Sequence, residues 1–239
     1  MTPVLINATL AIVVYSLWVR RDTWWSRWEA RATLAVALEG CSIVLMSPWA
    51  GVELAPFLHR ALGVWNVQQM AGHFCLIIAI AANVYHLLVR LADPDQVAAI
   101  MRRHIRGPVA LSIAAMIPLF VFADQDFQPD MFDDETSGSA LIAYQLVGAA
   151  VVIYLSGYVT RVLLALRSDP RAKTTVHLYL VSMAFATAAC LVVIASLVFG
   201  ANFGCAIWGC ACLSIGIFAY GSARSWRAKA AWFTADAES

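Results

Sequence analysis

Residues 3–49 read PVLINATLAIVVYSLWV, then RRDTWWSRWEARA, then TLAVALEGCSIVLMSPW. Two apolar runs of 17 residues flank a short tether that carries Arg20, Arg21, Arg27 and Arg31. A helix needs about 20 apolar residues to cross a hydrocarbon layer roughly 30 Å thick. Two such runs joined by a basic tether read as a pair of membrane helices, with the tether on the side where arginine and lysine accumulate.

The same alternation continues outward from this pair. Of the 16 Lys and Arg residues, only Arg60 falls outside the stretches Arg20–Arg31, Arg90–Arg106, Arg161–Lys173 and Arg224–Lys229. Those stretches separate seven apolar runs, at about 3–19, 33–49, 66–91, 108–123, 139–160, 174–199 and 202–223. The expectation is an all-α polytopic membrane protein, a bundle of seven transmembrane helices in the cell membrane. Its N-terminus is expected outside and its C-terminus in the cytoplasm. Residues 1–223 then form the membrane domain and 224–239 a short cytoplasmic tail. Trp18, Trp24, Trp25, Trp28, Trp226 and Trp232 fall near the expected inner boundary, and Trp49 and Trp65 near the outer one. That is where indole rings settle. Asp93–Ile105 reads as a short cytoplasmic helix that offers Arg102, Arg103 and Arg106 to lipid headgroups.

At 62% hydrophobic and 13% charged residues, the chain is too apolar for a soluble domain of ordinary composition. The net charge of +1 hides an asymmetry, because Glu53, Asp124, Asp126, Asp130, Asp133, Asp134 and Glu135 face outward with only Arg60 against them. Basic residues spread thinly along one membrane face do not make a nucleic-acid surface. Asp124–Ser139 reads as a solvated acidic loop without calcium-loop spacing. The first run lacks a basic leader, so it is expected to stay in the membrane. All six cysteines lie inside apolar runs, as packing residues do.

Polar residues inside spans carry the functional argument, since lipid cannot satisfy them. Glu39 lies about 9 Å from the inner boundary at 1.5 Å per residue. Asn83 and Ser156 sit at the same depth. The expected arrangement is a polar clasp between Glu39 and Asn83, with proton coupling through Glu39 as the sharper alternative. On the third run Asn66, Gln69 and His73 project within about 60° of one another and reach roughly 10 Å inward. Gln145 and Trp208 fall at comparable depth. Together these five would line an outward-facing pocket for a small amphipathic ligand; otherwise they hydrogen-bond helix to helix. Gly200, Gly204, Trp208, Cys212, Gly216 and Tyr220 recur at intervals of four, and the small residues among them favour close helix packing.

Cofactor chemistry finds no support. His73 and His86 are 13 residues apart, which leaves the rings about 140° apart around an ideal helix and unable to share a haem. Zinc-protease, nucleophile-elbow and phosphate-loop motifs are absent. The expectation is a non-enzyme without a cofactor.

Arg27–Arg31 leading into the second run, and Leu62-Gly63-Val64-Trp65-Asn66 opening the third with His73 after it, resemble a group of actinobacterial seven-span membrane proteins regarded as transporters. Members usually continue into a C-terminal cytoplasmic domain, which the resemblance implies is lacking here. Three functions follow. The first is a sensor or binding module that signals through a separate cytoplasmic partner. The second is a small, proton-coupled transporter using Glu39. The third is an accessory subunit of a membrane complex.

Overall fold

The computed structural model describes residues 2–26, 29–123, 126–132, 138–170 and 172–235, and among them there is no strand. The helices are α1 (Thr2–Val19), α2 (Ala30–Met46), α3 (Pro48–Leu62), α4 (Val67–Leu88), α5 (Pro94–Ile100), α6 (Gly107–Val121), α7 (Ser139–Leu166), α8 (Lys173–Phe199) and α9 (Gly204–Ala235). Six stretches are long and apolar enough to cross a membrane, and the bent pair α2–α3 brings the number to as many as seven. The protein is a membrane-embedded helical bundle.

Helices α1, α2, α4, α7, α8 and α9 pack each on the next, and α9 closes the ring against α1; α6 leans on α7 from outside. Large apolar side chains stand on the outer surface as well as in the core. Val14, Leu111, Leu191 and Val198 stand exposed on the outer surface, while Glu39, Asn83, Ser156, Ser182 and Ser214 are buried. Such a surface is stable against acyl chains and not against water.

Three element boundaries differ from expectation. The second run ends at Ser47, where the chain bends by 77° into α3 instead of an open outer loop. The cause is local. Ser47 has extended backbone, its Oγ accepts from Ala50 N at 3.2 Å, and Pro48 follows at the first helical position. Gly63, at φ +72, ends α3 with its N–H on His59 O at 2.8 Å. Next, the expected cytoplasmic helix at Asp93–Ile105 is continuous with the fourth span. Residues Met101–Arg106 form a wide π turn that joins α5 to α6, so Pro94–Val121 is one 28-residue run. Finally, α9 does not stop at Ala223 but continues to Ala235, so most of the expected tail is helix. Between Gly200 and Gly204 the chain leaves α8 and starts α9, so that pair is a turn and not a helix-packing motif. Close approach is instead made at Gly72, where a Cβ would lie 3.2 Å from Ser42 O on α2.

A buried arginine ties the basic end together. Arg20 is 2% exposed. Its Nε donates to Thr33 Oγ1 at 3.0 Å, Nη1 to Ser222 O at 3.2 Å and Nη2 to Glu29 Oε2 at 3.0 Å. Those bonds join α1, α2 and α9. The other oxygen of Glu29 accepts from Lys229 Nζ, and Arg90 Nη2 stands 3.7 Å from it. Burial pushes the Glu29 carboxyl up, but the hydrogen bond and charge of Lys229, with His86 and Arg20, outweigh it and bring it down from 4.5 to about 2. Trp28, Arg27 and Arg171 lie outside the described residues, as does the side chain of Trp232.

Candidate functional site

A cavity of about 90 Å³ lies near the end of the bundle opposite the basic one, between α2, α4, α7, α8 and α9. Three of the five expected pocket residues line it: His73, Gln145 and Trp208. Ser42 on α2 adds a hydroxyl, and the remaining wall is apolar. His73 Nδ1 lies 3.0 Å from Gln69 O and 3.1 Å from the Tyr144 hydroxyl. With a proton on Nδ1 the ring donates to the carbonyl; in the other tautomer it accepts from Tyr144.

Asn66 and Gln69 do not line the cavity. Both are 1% exposed, and both spend their amides on the segment 126–132. Asn66 Nδ2 donates to Asp126 O at 3.0 Å, and its Oδ1 accepts from Gln128 N at 3.3 Å. Gln69 Nε2 donates to Gln128 O at 3.0 Å and Pro129 O at 3.2 Å. At these two positions the partner of the stripe is the chain's own backbone.

That segment is a strap across the mouth of the bundle, which corrects the expectation of a solvated loop for residues 126–132. Asp130 Oδ2 accepts from Trp208 Nε1 at 2.8 Å, and Met131 is buried in the core. Phe132 lines the cavity and meets His73 edge-on at 6.4 Å and Trp208 at 6.0 Å between ring centroids. Gly51 of α3 makes the strap's seat, since a Cβ there would fall 2.6 Å from Pro129 Cα. Asp124, Asp133, Asp134 and Glu135 lie outside the described residues. No group of three His, Cys, Asp or Glu among the described residues could hold a metal ion.

Deeper along the axis lies a second cavity of about 60 Å³, lined in part by Glu39. It shares Leu76, Val152, Ala189, Cys190, Ala211 and Ile215 with the first. The expected clasp does not form. Glu39 Oε2 and both amide atoms of Asn83 are buried without a hydrogen-bond partner, and Ser156 Oγ is in the same condition. Asn83 lies about one helical turn beyond Ile80, and Ser156 about one turn beyond Val152, both of which line this cavity. A polar group left without a partner in an apolar interior costs about 1–3 kcal/mol, so Glu39, Asn83 and Ser156 each weigh against the stability of the bundle.

Sequence reasoning missed Tyr144, Phe132 and Asp130. Phe132 and Asp130 sit in a polar stretch with no periodic signal. Tyr144 is adjacent to Gln145 and carries the one signal available, a hydroxyl in the middle of an apolar run. Comparison with protein-family models, curated proteins and solved structures finds no match for this chain.

Proposed function

We propose that the chain is a membrane binding module for a small, chiefly apolar molecule with one polar end. The ligand occupies the cavity beneath Phe132, where His73, Gln145 and Trp208 meet its polar end. The observation that carries this reading is a cavity lined by an aromatic side chain, Phe132, of a strap that is pinned to α4 by Asn66 and Gln69 and to α9 by Trp208. The cavity is smaller than the engineered cavity of about 150 Å³ that admits benzene. A ligand of that size must lift Phe132, which couples occupancy to movement of the strap. On this reading the chain crosses the membrane seven times with α2–α3 as one crossing, the strap faces outward, and a separate protein at the basic, cytoplasmic face receives the signal.

Indole and phenol, each one ring with one polar group, are suitable probes. Thermal unfolding of the purified chain in nanodiscs should shift upward with either probe, and not for Ala189→Leu, which fills the cavity. A ligand at 100 times its Kd stabilises by about 2.7 kcal/mol. No shift in the native chain, or an equal shift in both, would exclude this site.

The shared wall between the two cavities favours a second reading, a small proton-coupled transporter in which Glu39 carries the proton. Uptake into vesicles by the native chain should then depend on a pH gradient and be lost in Glu39→Gln. Gradient-independent uptake, unchanged by the substitution, would remove it.

A further inference from the structure

At the basic end α4, α7, α8 and α9 surround a third and wider cavity, of about 340 Å³. Neither reading above uses it. Arg90 and Lys229 line it, with side chains 31% and 35% exposed. Thr175, Tyr179 and Ser225, each bearing a hydroxyl, lie on the same lining. The rest of the wall is apolar, chiefly Leu87, Leu163 and Leu166.

The charge balance leaves this space positive. Arg20, Arg90 and Lys229 converge on the single carboxylate of Glu29. Arg20 is sealed and spends its donors on protein, whereas Arg90 and Lys229 remain partly open. Arg90 Nη2 also lies 2.9 Å from His86 Nε2. A guanidinium has five donors and an ammonium three, so both keep donors beyond these contacts. Asp169 adds one opposing carboxylate on the lining. Three cations against two carboxylates favour an anion. Cationic and hydroxyl donors on several sides suit the oxygens of a phosphate better than a flat carboxylate. The leucine wall accommodates a carbon skeleton.

We infer that this cavity binds a phosphate group borne on a small organic body, held by Arg90 and Lys229 with the hydroxyls of Thr175, Tyr179 and Ser225. The group can come from a soluble phosphate ester or from the headgroup of an anionic lipid, and the experiment separates the two. The full chain is placed in phosphatidylcholine nanodiscs and titrated with glycerol 3-phosphate, against sodium chloride of equal ionic strength, with calorimetry as readout. Saturable binding, weakened about tenfold or more in Arg90→Gln, is expected for a soluble source. Leu166→Trp, which fills the cavity without touching the ion pairs, should weaken it as much. In a second arm the nanodiscs contain phosphatidylglycerol, and retained lipid is counted by native mass spectrometry. Lipid retained by the native chain and lost in both variants, without a glycerol 3-phosphate signal, assigns the site to a headgroup. If Arg90→Gln fails to fold, Leu166→Trp and Ser225→Ala carry the test. No binding above chloride together with no variant-sensitive lipid, or variants that bind like the native chain, would overturn the inference.

Discussion

Arg20 shows how far one side chain can depart from its sequence context. Next to Arg21 in a basic tether it reads only as one of the charges that mark the inner side, yet its guanidinium is buried and makes bonds to Thr33, Ser222 and Glu29. Arg20→Met should destabilise the protein by about 3 kcal/mol or more, because it leaves buried acceptors without their partner. Arg20→Lys should not restore it, since a single ammonium cannot span three directions. Denaturant titration in micelles measures both. Glu29, held near 2 against an ordinary 4.5, contributes stability above its unfolded pKa, and that contribution is lost as pH falls from about 4.5 towards 2. Unfolding temperature followed over that window should fall in the native chain and be flatter in Glu29→Gln. Asn83 is the opposite case, a buried amide with nothing to bond. Asn83→Leu, similar in volume, should stabilise by about 1–2 kcal/mol in the same titration. A loss of stability instead would mean that the amide is satisfied in the membrane.

Elements were legible where hydropathy alone defines them. The apolar runs form helices because a helix satisfies its own backbone hydrogen bonds within one segment of this length, and the positions of α1, α4, α7 and α8 follow from run length. Helix α3 was legible in principle and overlooked. Ser47-Pro48 is a start signal and Gly63 a stop signal, but Glu53, Pro56 and Arg60 between them lack the uniform hydropathy of a span. The motif Leu62–Asn66 is explained by the same turn, with Trp65 stacked on His59 at 3.8 Å and Asn66 at φ +58. The strap could not be read from sequence, because residues 126–132 take their course from side chains about 60 positions away. Asn66→Ala should therefore release it. Hydrogen exchange at residues 126–132 should become faster in that variant while exchange within α4 is unchanged, which separates loss of the strap from loss of the helix.

At the scale of the whole molecule, two cavities share a wall beneath the strap, and Cys190 lines both. With the other five cysteines replaced by alanine, a small thiol reagent should label Cys190 slowly. Combining Asn66→Ala with Gln69→Ala should speed labelling several-fold if the strap closes this route. The cavities also share a neighbour that reaches well past them. Trp208, near the start of α9, hydrogen-bonds the strap through Asp130, and Lys229, near its far end, pairs with Glu29. These two residues are separated by about 31 Å at 1.5 Å per residue, and α9 runs between them without a break. A tilt of α9 as one body would move both contacts, the strap's hydrogen bond at one end of the bundle and the ammonium–carboxylate pair at the other.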